Sequence, residues 1–205
     1  MVRRTALSLL VFLLLTGRFA AENTTPTAAL RFTPAQYPSD AGARAIVSAD
    51  FDGDGALDFA TANTASNTVD VFMNREFSSG GFTVRRYPVG AGPFDLLVSD
   101  LDVDGYPDLA VAAADAGEID VLFGGAAGNF AAPKRLPAPG NPRGLAAGWF
   151  GPQSPSLVYS SYASGTVSIL SCDIATRDFT AGPTLNAGVN AQGIAVGRFT
   201  SGGLY

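Results

Sequence analysis

The sequence predicts an all-β chain: a partial β-propeller of four-stranded blades, about three blades plus the start of a fourth. Three observations predict it. A motif recurs about every fifty residues, each repeat holds short strand-like runs, and no segment beyond the N-terminal leader has a helical period. The motif Ala45-Ile-Val-Ser-Ala-Asp-Phe-Asp-Gly-Asp-Gly returns as Leu96-Leu-Val-Ser-Asp-Leu-Asp-Val-Asp-Gly. It degrades to Gly144-Leu-Ala-Ala-Gly-Trp-Phe-Gly and opens again at Gly193-Ile-Ala-Val-Gly-Arg-Phe. With Asp50, Asp100, Gly148 and Gly197 as register residues, the steps are 50, 48 and 49. Tyr37-Pro38, Tyr87-Pro88 and Leu136-Pro137 keep that step, as do Phe82, Phe130 and Phe179. A blade cannot cover its own two faces, so blades stack, and a closed ring protects the edges.

The elements follow in chain order. Arg3 and Arg4 precede a ten-residue apolar run, Ala6–Leu15, too short to span a bilayer and suited to a secretory leader. Residues 1–21 are therefore expected to be a signal peptide, with the cut within residues 17–23. The expected address is secreted, periplasmic or cell-surface, with membrane contact only through this segment if it stays uncleaved. Residues 22–36 read as a polar linker and residues 37–205 as the propeller. Its blades are expected at about 37–86, 87–135 and 136–184, with 185–205 incomplete. Strand-like runs in the first blade are Ala45–Ala49, Asp58–Ala62, Thr68–Met73 and Phe82–Tyr87. In the second they are Asp95–Ser99, Asp108–Ala113, Glu118–Phe123 and a weaker run near Lys134–Leu136. Propellers close with four to eight blades. The sequence stops at Tyr205 inside the fourth copy, so it is expected to be part of a longer ring.

Composition bounds the chemistry. The 205 residues are 47% hydrophobic, with 24 Gly and 13 Pro, which suits a core crossed by many turns. Net charge is −5, and eight of the 18 acidic residues sit in two short clusters, so the acidity is local. One Lys and no basic run leave no footprint for nucleic acid. The absence of His excludes Ser/His/Asp triads, Cys/His dyads and His-ligated zinc. Cys172 is the only cysteine, so no intrachain disulfide forms, and it reads as a small buried hydrophobe.

The clusters share one pattern. Asp50, Asp52, Asp54 and Asp58 occupy positions 1, 3, 5 and 9 of one loop, and Asp100, Asp102, Asp104 and Asp108 those of the other. Gly55 and Gly105 hold position 6. Ala56 and Tyr106 hold position 7, where a backbone carbonyl would be offered. Four carboxylates in nine residues repel one another, and a hard cation relieves the repulsion. Calcium, with six to eight oxygens in flexible geometry, fits better than octahedral magnesium. An EF-hand would need Glu at position 12 and flanking helices. Thr61 and Val111 stand there, and the flanks read as strands. A plain Asp/Gly turn is the simpler alternative. The third and fourth copies lack carboxylates, so two Ca2+ sites are expected. The third loop is expected to be held by packing of Trp149 and Phe150.

The strings SADFDGDGALDFATAN, TVDVFMN, YPVGAGPFDLLVSDLDVDGYPDLAVAA and IDVLFGGAAGNFAAP resemble the FG-GAP or VCBS repeats. That family includes the integrin alpha-subunit propeller and many exported bacterial proteins. The resemblance covers about residues 37–205 and is strongest over 44–133. It implies a propeller, commonly of seven blades, with calcium in a blade loop. It maps the ligands onto the same eight aspartates. The later copies depart from the pattern by lacking them.

The function expected is an exported, calcium-binding, non-catalytic scaffold that presents loops to a protein or glycan partner. One alternative is a carbohydrate-binding propeller using Tyr106, Tyr159 and Tyr162 as stacking faces. Another is a non-catalytic part of a larger exported enzyme. A glycosidase-like pair drawn from Asp115, Glu118 and Asp120 competes with the reading of solvated charges in a turn and strand.

Overall fold

The computed structural model describes residues 36–76, 81–150 and 155–197. The expected leader, nearly all of the linker, and residues 198–205 lie outside them. The described residues from Pro38 onward form one compact unit, built from three four-stranded antiparallel sheets. The first sheet has β1 (Ala43–Ala49), β2 (Asp58–Asn63), β3 (Thr68–Glu76) and β4 (Gly81–Pro88) in sequential order. The second has β5 (Pro93–Ser99), β6 (Asp108–Ala113), β7 (Glu118–Leu122) and β8 (Lys134–Pro137). The third has β9 (Pro142–Gly148), β10 (Ser156–Ser161), β11 (Thr166–Asp173) and β12 (Asp178–Asn186). Strands β1, β5 and β9 lie side by side as the first strands of consecutive blades. This is the partial propeller the repeat predicts.

Turn chemistry sets each blade locally. The β2–β3, β6–β7 and β10–β11 turns place Asn67, Gly117 and Gly165 in the left-handed region, at φ of 56°, 68° and 65°. Each donates its N–H to the carbonyl four residues earlier, at 3.0, 2.9 and 2.9 Å. Asn and Gly tolerate that backbone where other residues resist it.

The core lies between sheets. Residues alternate along β6, so Leu109 and Val111 face the first sheet and Ala110 and Ala112 the third. Phe51, Val69, Val71 and Met73 meet Leu96, Leu109 and Leu122 in one cluster. Leu101, Ile119 and Val121 meet Leu145, Leu157, Tyr159 and Leu170 in the next. Cys172 is buried, and burial pushes its thiol up to about 11.

Three expectations need correction. The repeat boundaries after residues 86, 135 and 184 cut through β4, β8 and β12, which run to Pro88, Pro137 and Asn186. The Tyr-Pro and Leu-Pro pairs at 87 and 136 end a fourth strand and do not open a blade.

The third repeat is also out of register by one. Ala49 pairs with Asp58 and Ser99 with Asp108, whereas Gly148 pairs with Ser156. The third loop is therefore one residue shorter, and Trp149, not Gly148, stands where Asp50 and Asp100 stand.

Trp149 and Phe150 are not buried as the expected packing requires, and residues 151–154 of their loop lie outside the described residues. The two rings are 61% and 51% exposed, whereas Phe51 and Leu101, the counterparts of Phe150, are 1% exposed. Those counterparts insert into the following sheet. After the third sheet, the described residues supply only the segment 187–197, which carries no strand pairing. It lies along β9 and β10, where Ser160 Oγ donates to the Gln192 carbonyl at 3.2 Å. A Cβ on Gly148 would come within 2.7 Å of Val196 Cγ1.

Candidate functional site: two acidic loops

Each acidic loop joins the first two strands of a blade. In the first, Asp50 organises the backbone. Its Oδ1 accepts from Gly53 N at 2.7 Å and Asp54 N at 3.1 Å, and its Oδ2 accepts from Gly55 N at 2.8 Å. Ala56 N donates to Asp54 Oδ1 at 2.7 Å. In the second, Asp100 Oδ1 and Asp102 Oδ1 accept from Asp104 N at 3.2 and 3.3 Å. Gly105 N donates to Asp100 Oδ2 at 3.1 Å, and Tyr106 N to Asp104 Oδ1 at 2.9 Å. Positions 4 and 6 are left-handed in both loops, with Gly53 and Gly55 at φ 77° and 86°, and Val103 and Gly105 at 61° and 90°.

Val103 is the exception among these, because a β-branched side chain resists this backbone. Nothing lies within 4 Å of the space a Cβ would fill at Gly53, and Val103 is itself exposed. Val103→Gly is therefore expected to raise stability by about 1 kcal/mol. An unchanged or lower unfolding midpoint in urea would show that the valine is not strained.

The structure brings some of the sequence-predicted residues together and not others. Asp50, Asp52 and Asp54 each place one carboxylate oxygen within 4.8 Å of the others, and Asp100, Asp102 and Asp108 do the same. Asp58 stays outside the first set and Asp104 outside the second. Both ninth-position aspartates brace the backbone. Asp58 accepts from Phe51 N at 2.9 Å and Asn74 N at 2.7 Å. Asp108 accepts from Leu101 N and Gly124 N, both at 2.7 Å. Burial pushes the carboxyls of Asp58 and Asp102 up and takes that of Asp108 to about 7. Neighbouring loop carboxylates add to each shift. As anions, Asp58 and Asp108 have no cation beside them among the described residues, whereas Asp102 has Arg177.

Asp52 Oδ1 and Asp102 Oδ2 are buried and accept no hydrogen bond. A buried carboxylate oxygen without a donor is costly. Convergent, deprotonatable oxygens, with Asp52 Oδ1 unpartnered and Asp102 Oδ2 facing only the Arg177 guanidinium, fit an oxygen-seeking divalent ion.

Two features escape a reading by sequence. Asp70 and Asp120, fifty residues apart and both fully buried, act as tethers. Asp70 Oδ2 accepts from Asp40 N at 2.8 Å, and Asp120 Oδ2 accepts from Gly90 N at 2.6 Å. Each thus pins a third strand to the segment before the first. The signal lay in the repeat itself, since both the acids and the tethered residues keep the step of fifty. Asp120 therefore has a bracing role that the glycosidase-like reading did not contain. The second feature is Arg177, from the β11–β12 turn. Its Nε lies 2.5 Å from Asp102 Oδ2, and its Nη2 lies 3.1 Å from Asp104 Oδ2.

The set of stacking tyrosines is likewise corrected. Tyr159 is buried in the core between the second and third sheets. Tyr162 has the Arg143 guanidinium 3.8 Å from its ring centroid. Tyr106 alone of the three is exposed.

Comparison with known proteins agrees with this architecture. Residues 50–111 match the family of FG-GAP-like repeats. The fold is similar to that of the periplasmic gluconolactonase of Pseudomonas aeruginosa, with a TM-score of 0.58 and 18% identity over 76% of this chain and 42% of that one. A protein from Lactobacillus plantarum aligns with a TM-score of 0.47 and 20% identity over 63% of this chain and 39% of that one. The chain spans less than half the length of either. At this identity the gluconolactonase likeness concerns the fold alone. No curated protein matches the chain.

Proposed function

We propose that this FG-GAP-like repeat chain is an exported, non-catalytic propeller module whose two acidic loops bind calcium and whose loop-bearing edge serves a protein or glycan partner. The observation that carries the reading is the pair of convergent carboxylate sets, Asp50/Asp52/Asp54 and Asp100/Asp102/Asp108, each with a buried oxygen that accepts no hydrogen bond. Asp58 would brace the first site from behind, and Asp104 lies at the rim of the second. The position 7 carbonyls of Ala56 and Tyr106 complete the proposed ligand sets. A bound ion would supply the positive charge that the first loop's carboxylates lack, and in the second loop the coordination that the Arg177 guanidinium does not give. The apolar leader at residues 6–15 supports export. Calcium is plentiful outside the cytoplasm, so even sites with a Kd on the order of 10⁻³ M would fill.

Calorimetric titration of the purified chain with calcium tests this. Two sites are expected, one lost in Asp52→Asn and the other in Asp102→Asn. Absence of binding by a chain whose circular dichroism shows folded β-structure would reduce the loops to Asp/Gly turns.

A further inference from the structure

The two acidic loops are not equivalent, and the difference comes from the blade that follows each. The outer turn of the second blade covers the first loop, and the outer turn of the third blade covers the second. Gly128 and Arg177 occupy the same place in these turns. They are 49 residues apart, the spacing that also separates Phe130 from Phe179. Both are left-handed, at φ 64° and 58°. Gly128 presents no side chain to the first loop, and a Cβ added there would lie 3.4 Å from the Asp52 Cβ. Arg177 instead directs its guanidinium into the second loop, onto Asp102 and Asp104.

We infer that Arg177 is a built-in competitor of the metal: its guanidinium and a divalent cation compete for the carboxylates of the second loop, while the first loop has no such rival. The inference rests on the calcium reading above. Several observations carry it. Asp102 belongs to the convergent set of the second loop and is almost wholly buried, and its Oδ2 faces Arg177 Nε at 2.5 Å without forming a directed hydrogen bond. A guanidinium there supplies the charge a metal would supply but not the coordination. Arginine also holds a backbone conformation that favours glycine, a cost its two ion pairs offset. The turn is closed by Arg177 N donating to the Asp173 carbonyl at 2.7 Å, and the guanidinium lies 5.0 Å from the Phe123 ring centroid. Around the first loop, the nearest counterpart works differently. Arg85 donates to the carbonyls of Ala127 and Gly128 at 3.0 and 2.8 Å and leaves the carboxylates alone. Among the described residues, no ion pair involves Asp50, Asp52 or Asp54.

Two consequences follow. The first loop binds calcium more tightly than the second. Filling the second loop displaces Arg177 and loosens the β11–β12 turn, so calcium concentration is transmitted to the outer edge of the third blade.

The test is calorimetry with calcium on the full chain, in an Asp52→Asn background that isolates the second loop. It compares Arg177 with Arg177→Gly, which restores the residue of the second blade's turn, and Arg177→Gln, which keeps the bulk without the charge. Both variants are expected to tighten the second site by ~10-fold. In the otherwise native chain, Arg177→Gly should leave the first site unchanged. Amide exchange across residues 174–178 should speed up on calcium addition in the native protein and not in Arg177→Gly. Equal second-site affinity with and without Arg177 would overturn the competition while leaving the calcium reading intact. Weaker binding in both variants would make Arg177 a support of the site and overturn it too. No binding in any folded variant would remove the calcium reading, and the competition with it.

Discussion

Phe51→Ala is expected to lower the unfolding free energy by ~3–5 kcal/mol, the loss typical of a buried aromatic ring truncated in a core. Phe51 is the second residue of the first acidic loop, yet its ring is 1% exposed. The loop carries it off the first sheet and into the second. There it meets Phe130 edge to face, with centroids 5.4 Å apart, and Phe130 meets Tyr87 in the same manner at 5.6 Å. Leu96, Leu109 and Leu122 complete the cluster. The Phe51 amide is tied to the Asp58 carboxylate at 2.9 Å, so the ring and the acidic loop hold each other in place. Truncation removes the ring and leaves a cavity between blades that rigid sheets cannot collapse to fill. Phe150 is the internal control. It stands at the same place in the third repeat but is half exposed, so Phe150→Ala is expected to cost less than ~1 kcal/mol. Urea unfolding followed by circular dichroism compares the two. Similar losses at both positions would mean that blade-to-blade insertion is not what buries Phe51.

Without calcium, stability is expected to fall as pH rises from about 4 to about 7, and calcium is expected to abolish that fall. The sign follows from Asp108, whose carboxyl burial raises from 3.8 to about 7. Between those values the folded chain holds a proton that the unfolded chain has released, so raising the pH favours unfolding. Below 3.8 both states are protonated and the effect vanishes. Above about 7 it is complete, at up to ~4 kcal/mol and less where solvent screens the group. Asp58 and Asp102 are raised in the same direction, chiefly by burial, and add to the slope. A cation in the loops favours the carboxylates as anions and so restores the lost stability at neutral pH. Melting temperatures across this range, in chelator and in excess calcium, read the effect. Parallel profiles in the two conditions would mean that the buried carboxylates are not calcium ligands.

On the calcium reading, filling the first loop would stiffen the contact between the first two blades, whereas filling the second would release Arg177 from its carboxylates.

What the sequence determined by itself is everything set within about ten residues. The strand-like runs at 58–62, 68–73, 95–99 and 108–113 follow from short apolar stretches and the turn residues that bound them, and strands form there. The acidic loops follow from Asp and Gly spacing, and the stack of blades from the step of about fifty. The tertiary structure decided what depends on the neighbouring blade. It buried Phe51 and left Phe150 exposed, although both are phenylalanines after a first strand, because among the described residues only Phe51 has a complete sheet to enter. It put Tyr159 in the core and Tyr106 outside. It brought Arg177 onto Asp102, 75 residues away in the chain, because the outer turn of one blade lies over the inner loop of the blade before it. Backbone choice is a local free energy that short patterns encode, whereas a side chain's destination depends on surfaces that exist only once the sheets have stacked.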